Sequence, residues 1–354
     1  MSGRGDDGRS TTTAGPRTGP GPDLAAALTV GLLLVVTGAV LTITLLALTD
    51  AGGPTTLADP GPATTTGLPL ARYLQDLLGV LVVGCTLVAA IASGPGEADL
   101  RARSRRLLGP AATAWAVVTV LVYLLTASDL SGRALPLVIT AQVQTAFTAL
   151  PQARALLLVV LTAVVLAVAS RVGAAGGPVA SRVLLVLAAG ALVPPAFVGH
   201  SASAQDHELA VASVSVHLVA GALWIGGLAV LAVLVLADPR VGAGSATATL
   251  GSFSTLALWC VVVIGVSGLL NGSLRVAGPG DLVGSTSGLL LLAKAALLVV
   301  LVGFGWWHRT RSIAAMTSGT GRAAFVRLVV VELLLMVLTV AAAVVLARTP
   351  PPGV

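Results

Sequence analysis

The sequence predicts an all-α fold, a polytopic helical membrane protein with about nine transmembrane helices. Three observations predict it. Of 354 residues, 56% are apolar and 10% charged, with a mean hydropathy of +0.99, whereas a soluble domain carries about 25% charged residues. Segments of about 20 mostly apolar residues recur along nearly the whole chain, the length that crosses a hydrocarbon core of about 30 Å. Runs such as "LLLVVLTAVVLAVA" are apolar on both faces, which excludes the alternation of a membrane β-barrel. Without water to satisfy the backbone, such segments must be helices.

The first span, 24–48, follows a basic leader containing Arg4, Arg9 and Arg17. It is longer than a signal-peptide core and has no clear small-x-small cleavage site, so it reads as an uncleaved anchor. Residues 1–22, rich in Gly, Pro, Thr and Ser, read as a disordered cytoplasmic tail. Spans at 73–93, 109–127 and 155–171 follow, completing a four-span N-terminal half over 23–182. Between them, residues 128–154 are apolar enough for a re-entrant or interfacial helix, but Gln142 and Gln144 make a poor span. A five-span half, 183–350, holds segments 183–199, 210–237, 250–273, 288–307 and 325–347.

The net charge of +6 and pI near 10.6 do not point to nucleic acid, because the arginines sit in short clusters at the ends of apolar segments. That pattern sets membrane orientation. With the N-terminus inside, 14 arginines fall on the cytoplasmic side, four of them in "RARSRR", and 5 on the other. Residues 200–209 are then extracytoplasmic. Cys85 and Cys260 both lie inside apolar segments, so neither a disulfide framework nor a Cys-x-x-Cys metal site is expected.

A polar side chain at membrane depth is costly and marks function by default. His217 lies about two turns into the sixth span from the outer side, and Lys294, the single lysine, about two turns into the eighth. Gln75 and Asp76 are near the outer end of the second span, and Ser267 and Asn271 mark the outer part of the seventh. Ser213, His217, Gly221 and Trp224 recur at i, i+4, i+8 and i+11, one stripe of a helix. The small residues on that stripe, and the spacing of Gly268 and Gly272 in "GLLNG", predict close helix approach. Lys294 is expected to face the bundle near Asp76 or this stripe. Glu332 reads as a structural partner of Arg327, and His308 in "GWWHRTR" as an interface anchor.

Three of the four histidines, His200, His207 and His217, fall within "GHSASAQDHELAVASVSVHLVAGALWIGGL", with Asp206 and Glu208 flanking the middle one. Imidazoles beside carboxylates at a solvent-facing mouth suit copper or zinc. From His207 to His217 is about 15 Å of helix, so these two do not share one ion unless the loop folds back, whereas His200 and His207 meet readily. Three methionines and two cysteines give no basis for a Cu(I) relay on thioethers or thiolates.

The runs "GH…DH…HLVAGALWIGGLAVL", "FSTLALWCVVVIGVSGLLNG", "GLLLLAKAALLVVLVGFGWWHR" and "FVRLVVVELLLMVLTVAAAVVLARTPPP" resemble the copper resistance D (CopD) membrane domain, most closely of the actinobacterial type. The resemblance covers about 183–352, and the first half only in its pattern of spans. It implies copper handling across the cytoplasmic membrane, usually copper import, alongside a soluble extracytoplasmic copper-binding partner. By position it makes His217, Trp224, Gly226, Gly227 and Lys294 the family-pattern residues, with His200 and His207 as outer ligands for a copper ion whose oxidation state the sequence does not fix. The sequence contains no soluble copper-binding domain or methionine-rich loop, so the partner is expected to be a separate protein.

The leading expectation is therefore a copper transporter or copper-transfer protein in the cell membrane. The alternatives are a membrane haem-binding protein, which needs two facing histidines at membrane depth, and a non-catalytic scaffold for oxidase assembly. No nucleophile–base pair or acidic dyad in the spans supports an enzyme.

Overall fold

A computed structural model describes residues 22–49, 59–94, 97–172, 177–198, 207–237, 247–274, 279–307 and 322–347. In chain order the helices are α1 (Pro22–Thr49), α2 (Pro62–Ile91), α3 (Ala98–Ser131), the short α4 (Leu135–Val138) and α5 (Ala141–Thr148), α6 (Pro151–Arg171), α7 (Pro178–Gly190), α8 (His207–Ala237), α9 (Thr247–Ser273), the short α10 (Pro279–Gly284), α11 (Thr286–Trp307) and α12 (Arg322–Leu346). No strand occurs among the described residues. Eight of these helices are long and apolar enough to cross a membrane. The chain is an all-α polytopic membrane protein.

The expected fifth span differs. It forms α7, a helix of 13 residues and thus about 20 Å long, followed by a 3-10 turn at Pro194–Val198. Pro194 and Pro195 each lack an N–H and push the preceding residue out of helical geometry, which ends the helix early. Residues 128–154 hold only α4 and α5, of 4 and 8 residues, too short to cross. These two pack against α3 and α6 at the end of the bundle away from "RARSRR". Phe147 packs edge-on against Tyr123 at 4.8 Å, and the Tyr123 hydroxyl donates to Gln144 Oε1 at 3.1 Å. Residues 1–21 and His308 lie outside the described residues.

Two helices run past their apolar segments. α2 starts at Pro62, eleven residues before the expected span, and α3 starts at Ala98, so "RARSRR" is helical. The 34 residues of α3 extend about 51 Å, leaving its first turns beyond the hydrocarbon. There Arg103 Nε donates to Asp99 Oδ2 at 2.8 Å.

α2 is the central helix, packed against α3, α7 and α8, while α3 leans on α6, α8 on α9, and α12 on α1 and α11. One core cluster runs through both halves of the chain, from Val82, Val83 and Trp115 to Trp224, Leu231 and Met336. Gln75 Nε2 donates to Thr119 Oγ1 at 3.2 Å and Ser104 Oγ to the Cys85 carbonyl at 2.8 Å, satisfying polar groups between α2 and α3 where no water competes. Cys85 and Cys260 are both buried and free.

At the arginine-rich end of the bundle, buried Glu97 joins the α2–α3 connection to the start of α9. Thr249 Oγ1 donates to Glu97 Oε1, and the Gly94 N–H donates to Oε2 at 2.9 Å. Burial pushes the carboxyl up, but the bonds from the Thr249 hydroxyl and from backbone N–H groups of Gly94, Thr249 and Ser93 outweigh it and hold Glu97 below its ordinary 4.5. With the folded value below the unfolded one, the stabilisation is complete above the unfolded value and is lost as pH falls through the folded value. Thr249→Val is therefore expected to lower the melting temperature at neutral pH, with the gap to wild type narrowing on acidification. A gap independent of pH would assign the loss to packing alone.

Candidate functional site

The site forms where α8 packs against α9, in the half of the bundle away from the arginine-rich end. His217 Nδ1 lies 2.9 Å from Ser267 Oγ, and Ser213 Oγ donates to the Ser267 carbonyl at 3.2 Å. Ser213 and Ser267 are both buried. The imidazole rests on the bare face of Gly268, where an added Cβ would sit 3.6 Å from His217 Cε1. A Cβ there would meet the ring at ordinary van der Waals distance.

Hydrogen counting assigns the tautomer. Ser267 has one hydroxyl proton, and it is donated to the Val263 carbonyl at 2.6 Å. The Ser267 oxygen must then accept, so His217 Nδ1 carries the proton. Nε2 is left with its lone pair, the form that ligates a metal. A ligating histidine typically donates its second ring nitrogen to such a partner, which fixes ring orientation and tautomer.

Lys294 of α11 is close enough to His217 for their charges to interact. Asp76, expected near the outer end of the second span, lies midway along the longer α2, exposed, within electrostatic reach of Arg72. Trp224 is buried in the main core, and Asn271 is half-buried one turn beyond Ser267. Glu332 is buried ten residues into α12.

The rest of the histidine cluster is only partly described. His200 and Asp206 lie outside the described residues, as does the His207 side chain, although His207 begins α8. Glu208 is exposed in the first turn. Among the described residues no three His, Cys, Asp or Glu side chains meet as a metal group. The structure therefore brings together His217, Ser213 and Ser267, with Lys294 within electrostatic range of the ring, but gives no contact between His217 and His200 or His207.

The small-residue expectation is met one turn deeper than Gly221. Gly221 and Gly272 face open space, whereas a Cβ on Gly226 would collide with the Val80 carbonyl, and one on Gly84 with the Gly226 carbonyl. Here α2 and α8 touch backbone to backbone. The Gly226–Gly227 pair of the Trp-x-Gly-Gly run is thus a crossing point, and its partner Gly84 carried no signal beyond being small.

Residues 63–211 match the family described as copper resistance protein D-like, N-terminal domain, and residues 247–346 match copper resistance protein D. The matches extend the likeness into the first half of the chain. His217 falls between the two matched segments, and Ser267 and Lys294 lie within the second. The chain is also 33% identical over 125 residues to the copper transport protein CutJ of Bacillus subtilis (strain 168), an alignment over 35% of this chain and 23% of that protein. It therefore spans about a quarter of the length of this relative. No solved structure matches the chain. Two matches that run from the start of α2 to the end of α12, over a bundle of apolar helices, lead to one assignment: the chain belongs to the copper resistance protein D family.

Proposed function

We propose that this copper-related membrane protein transfers copper across the cell membrane in the direction of import. His200 and His207 capture the ion at the outer mouth, and His217 receives it within the bundle. The observation that carries the reading is the His217–Ser267 pair, which leaves an unprotonated Nε2 on an intramembrane imidazole. Copper is the cargo, not a resident cofactor, and the protein is not an enzyme. Lys294 beside the ring suits that role: a cation close to the ligand disfavours permanent residence of a second cation, so binding stays reversible. A separate extracytoplasmic copper-binding protein supplies the ion.

The test is copper uptake into proteoliposomes, comparing wild type with the His200→Ala, His207→Ala, His217→Ala triple variant. Uptake by the correctly inserted triple variant at the wild-type rate would place the copper path elsewhere.

The import direction requires residues 200–209 to face outside and the N-terminus and "RARSRR" to face the cytoplasm, as the arginine bias implies. In a background lacking Cys85 and Cys260, a single cysteine at position 203 should react with a membrane-impermeant reagent on intact cells. One at position 102 should react only after lysis. The opposite pattern overturns the orientation.

A further inference from the structure

The four arginines of "RARSRR" are not equivalent. Arg103 is paired with Asp99 and Arg106 is exposed. Arg101 and Arg105 are half-buried, one turn apart on the same face of α3, and the Nε of each is buried with no hydrogen-bond partner among the described residues. The orientation rule explains why arginines stand at this end of the helix. It does not explain why two of them withdraw an N–H from water without a partner, which costs free energy for any buried polar group and more for a charged one.

We propose that Arg101 and Arg105 form a binding site for the phosphate of an anionic phospholipid in the leaflet on the arginine-rich side. Three features fit that ligand. The Nε–H and Nη–H of a guanidinium form a fork that matches two oxygens of a phosphate, and two forks one turn apart, roughly 6 Å, bracket one headgroup. Arg105 is two residues before Leu107, so about 3 Å of helix axis separates it from the apolar stretch, the level at which headgroup phosphates sit. One turn deeper on the same stripe, Gly109 packs against Ser170 in the last turn of α6. α6 thus ends about where the two guanidiniums begin. The site is independent of the copper reading.

The full chain, purified in detergent, is titrated with phosphatidylglycerol, phosphatidylcholine or inorganic phosphate, and bound lipid is counted by native mass spectrometry. Wild type retains phosphatidylglycerol over phosphatidylcholine, and R101K/R105K, which keeps both charges but loses both Nε–H groups, retains it about tenfold less. R106K, at the exposed position, behaves as wild type. Three results overturn the site: equal retention by R101K/R105K and wild type, equal loss in R106K, or displacement of the lipid by millimolar inorganic phosphate. Because the lysine variant preserves helix propensity and charge, its folding is checked by melting temperature in phosphatidylcholine alone.

Discussion

His217→Ala is expected to abolish copper transfer in proteoliposomes while the protein inserts and melts like wild type. The half-buried imidazole is hydrogen-bonded to Ser267 and to the Ile264 backbone and rests on Gly268, so its loss removes little packing but takes away the proposed intramembrane ligand. The roles of the neighbours then separate. Ser267→Ala keeps the imidazole but removes the acceptor that places the proton on Nδ1, and supporting bonds of this kind are worth about 10–100-fold in metal affinity. Transfer is expected to persist in that variant with a half-saturating copper concentration raised by about tenfold or more. Replacing His200 and His207 together is expected to weaken capture at low copper and to leave transfer at high copper. Capture by neutral imidazoles also weakens as pH falls below about 6.5, the ordinary histidine value. Wild-type flux in folded His217→Ala would reduce this residue to a helix-packing contact.

The spans were legible because hydrophobic length is a strong, local signal, and the eight long helices fall on eight of the nine expected segments. The ninth carried its own warning: Pro194–Pro195 inside 183–199 forbids a continuous helix, and α7 stops before it. Helix ends outside the membrane were not legible from hydropathy. Pro62 at the first turn of α2, preceded by Gly61 at φ 91°, is the local mark of that start, and the polar "RARSRR" gave no apolar period to follow. At the site, helical spacing placed Ser213 and His217 on one stripe, and Ser267 stood out as polar at the same depth. Its hydroxyl bond to Val263, which decides the histidine tautomer, depends on side-chain geometry that no spacing encodes. The Glu97–Thr249 clasp joins residues 152 positions apart, and nothing in either residue's neighbourhood names the other.

Gly226→Ala is expected to be the most destabilising single methyl added to the protein. A Cβ is fixed by the backbone, so no rotamer relieves its collision with the Val80 carbonyl, and α2 and α8 must separate. That separation loosens the shared core around Val83, Trp224 and Leu231, and overpacking of this kind costs about 1–3 kcal/mol, more where backbone rather than side chain must yield. Gly84→Ala meets the Gly226 backbone from the other side and should cost a similar amount. Gly227→Ala meets the Phe253 ring and the Leu87 side chain, which shift, so its loss is smaller. Gly221→Ala has open space and replaces a poor helix former by the best one, a gain of up to about 1 kcal/mol where packing is indifferent. Melting temperatures in one detergent should therefore rank Gly84→Ala and Gly226→Ala lowest, then Gly227→Ala, then wild type, with Gly221→Ala at or above it. If Gly226→Ala melts with Gly221→Ala, α2 and α8 do not meet backbone to backbone, and the Trp-x-Gly-Gly run holds its glycines for some reason other than this crossing.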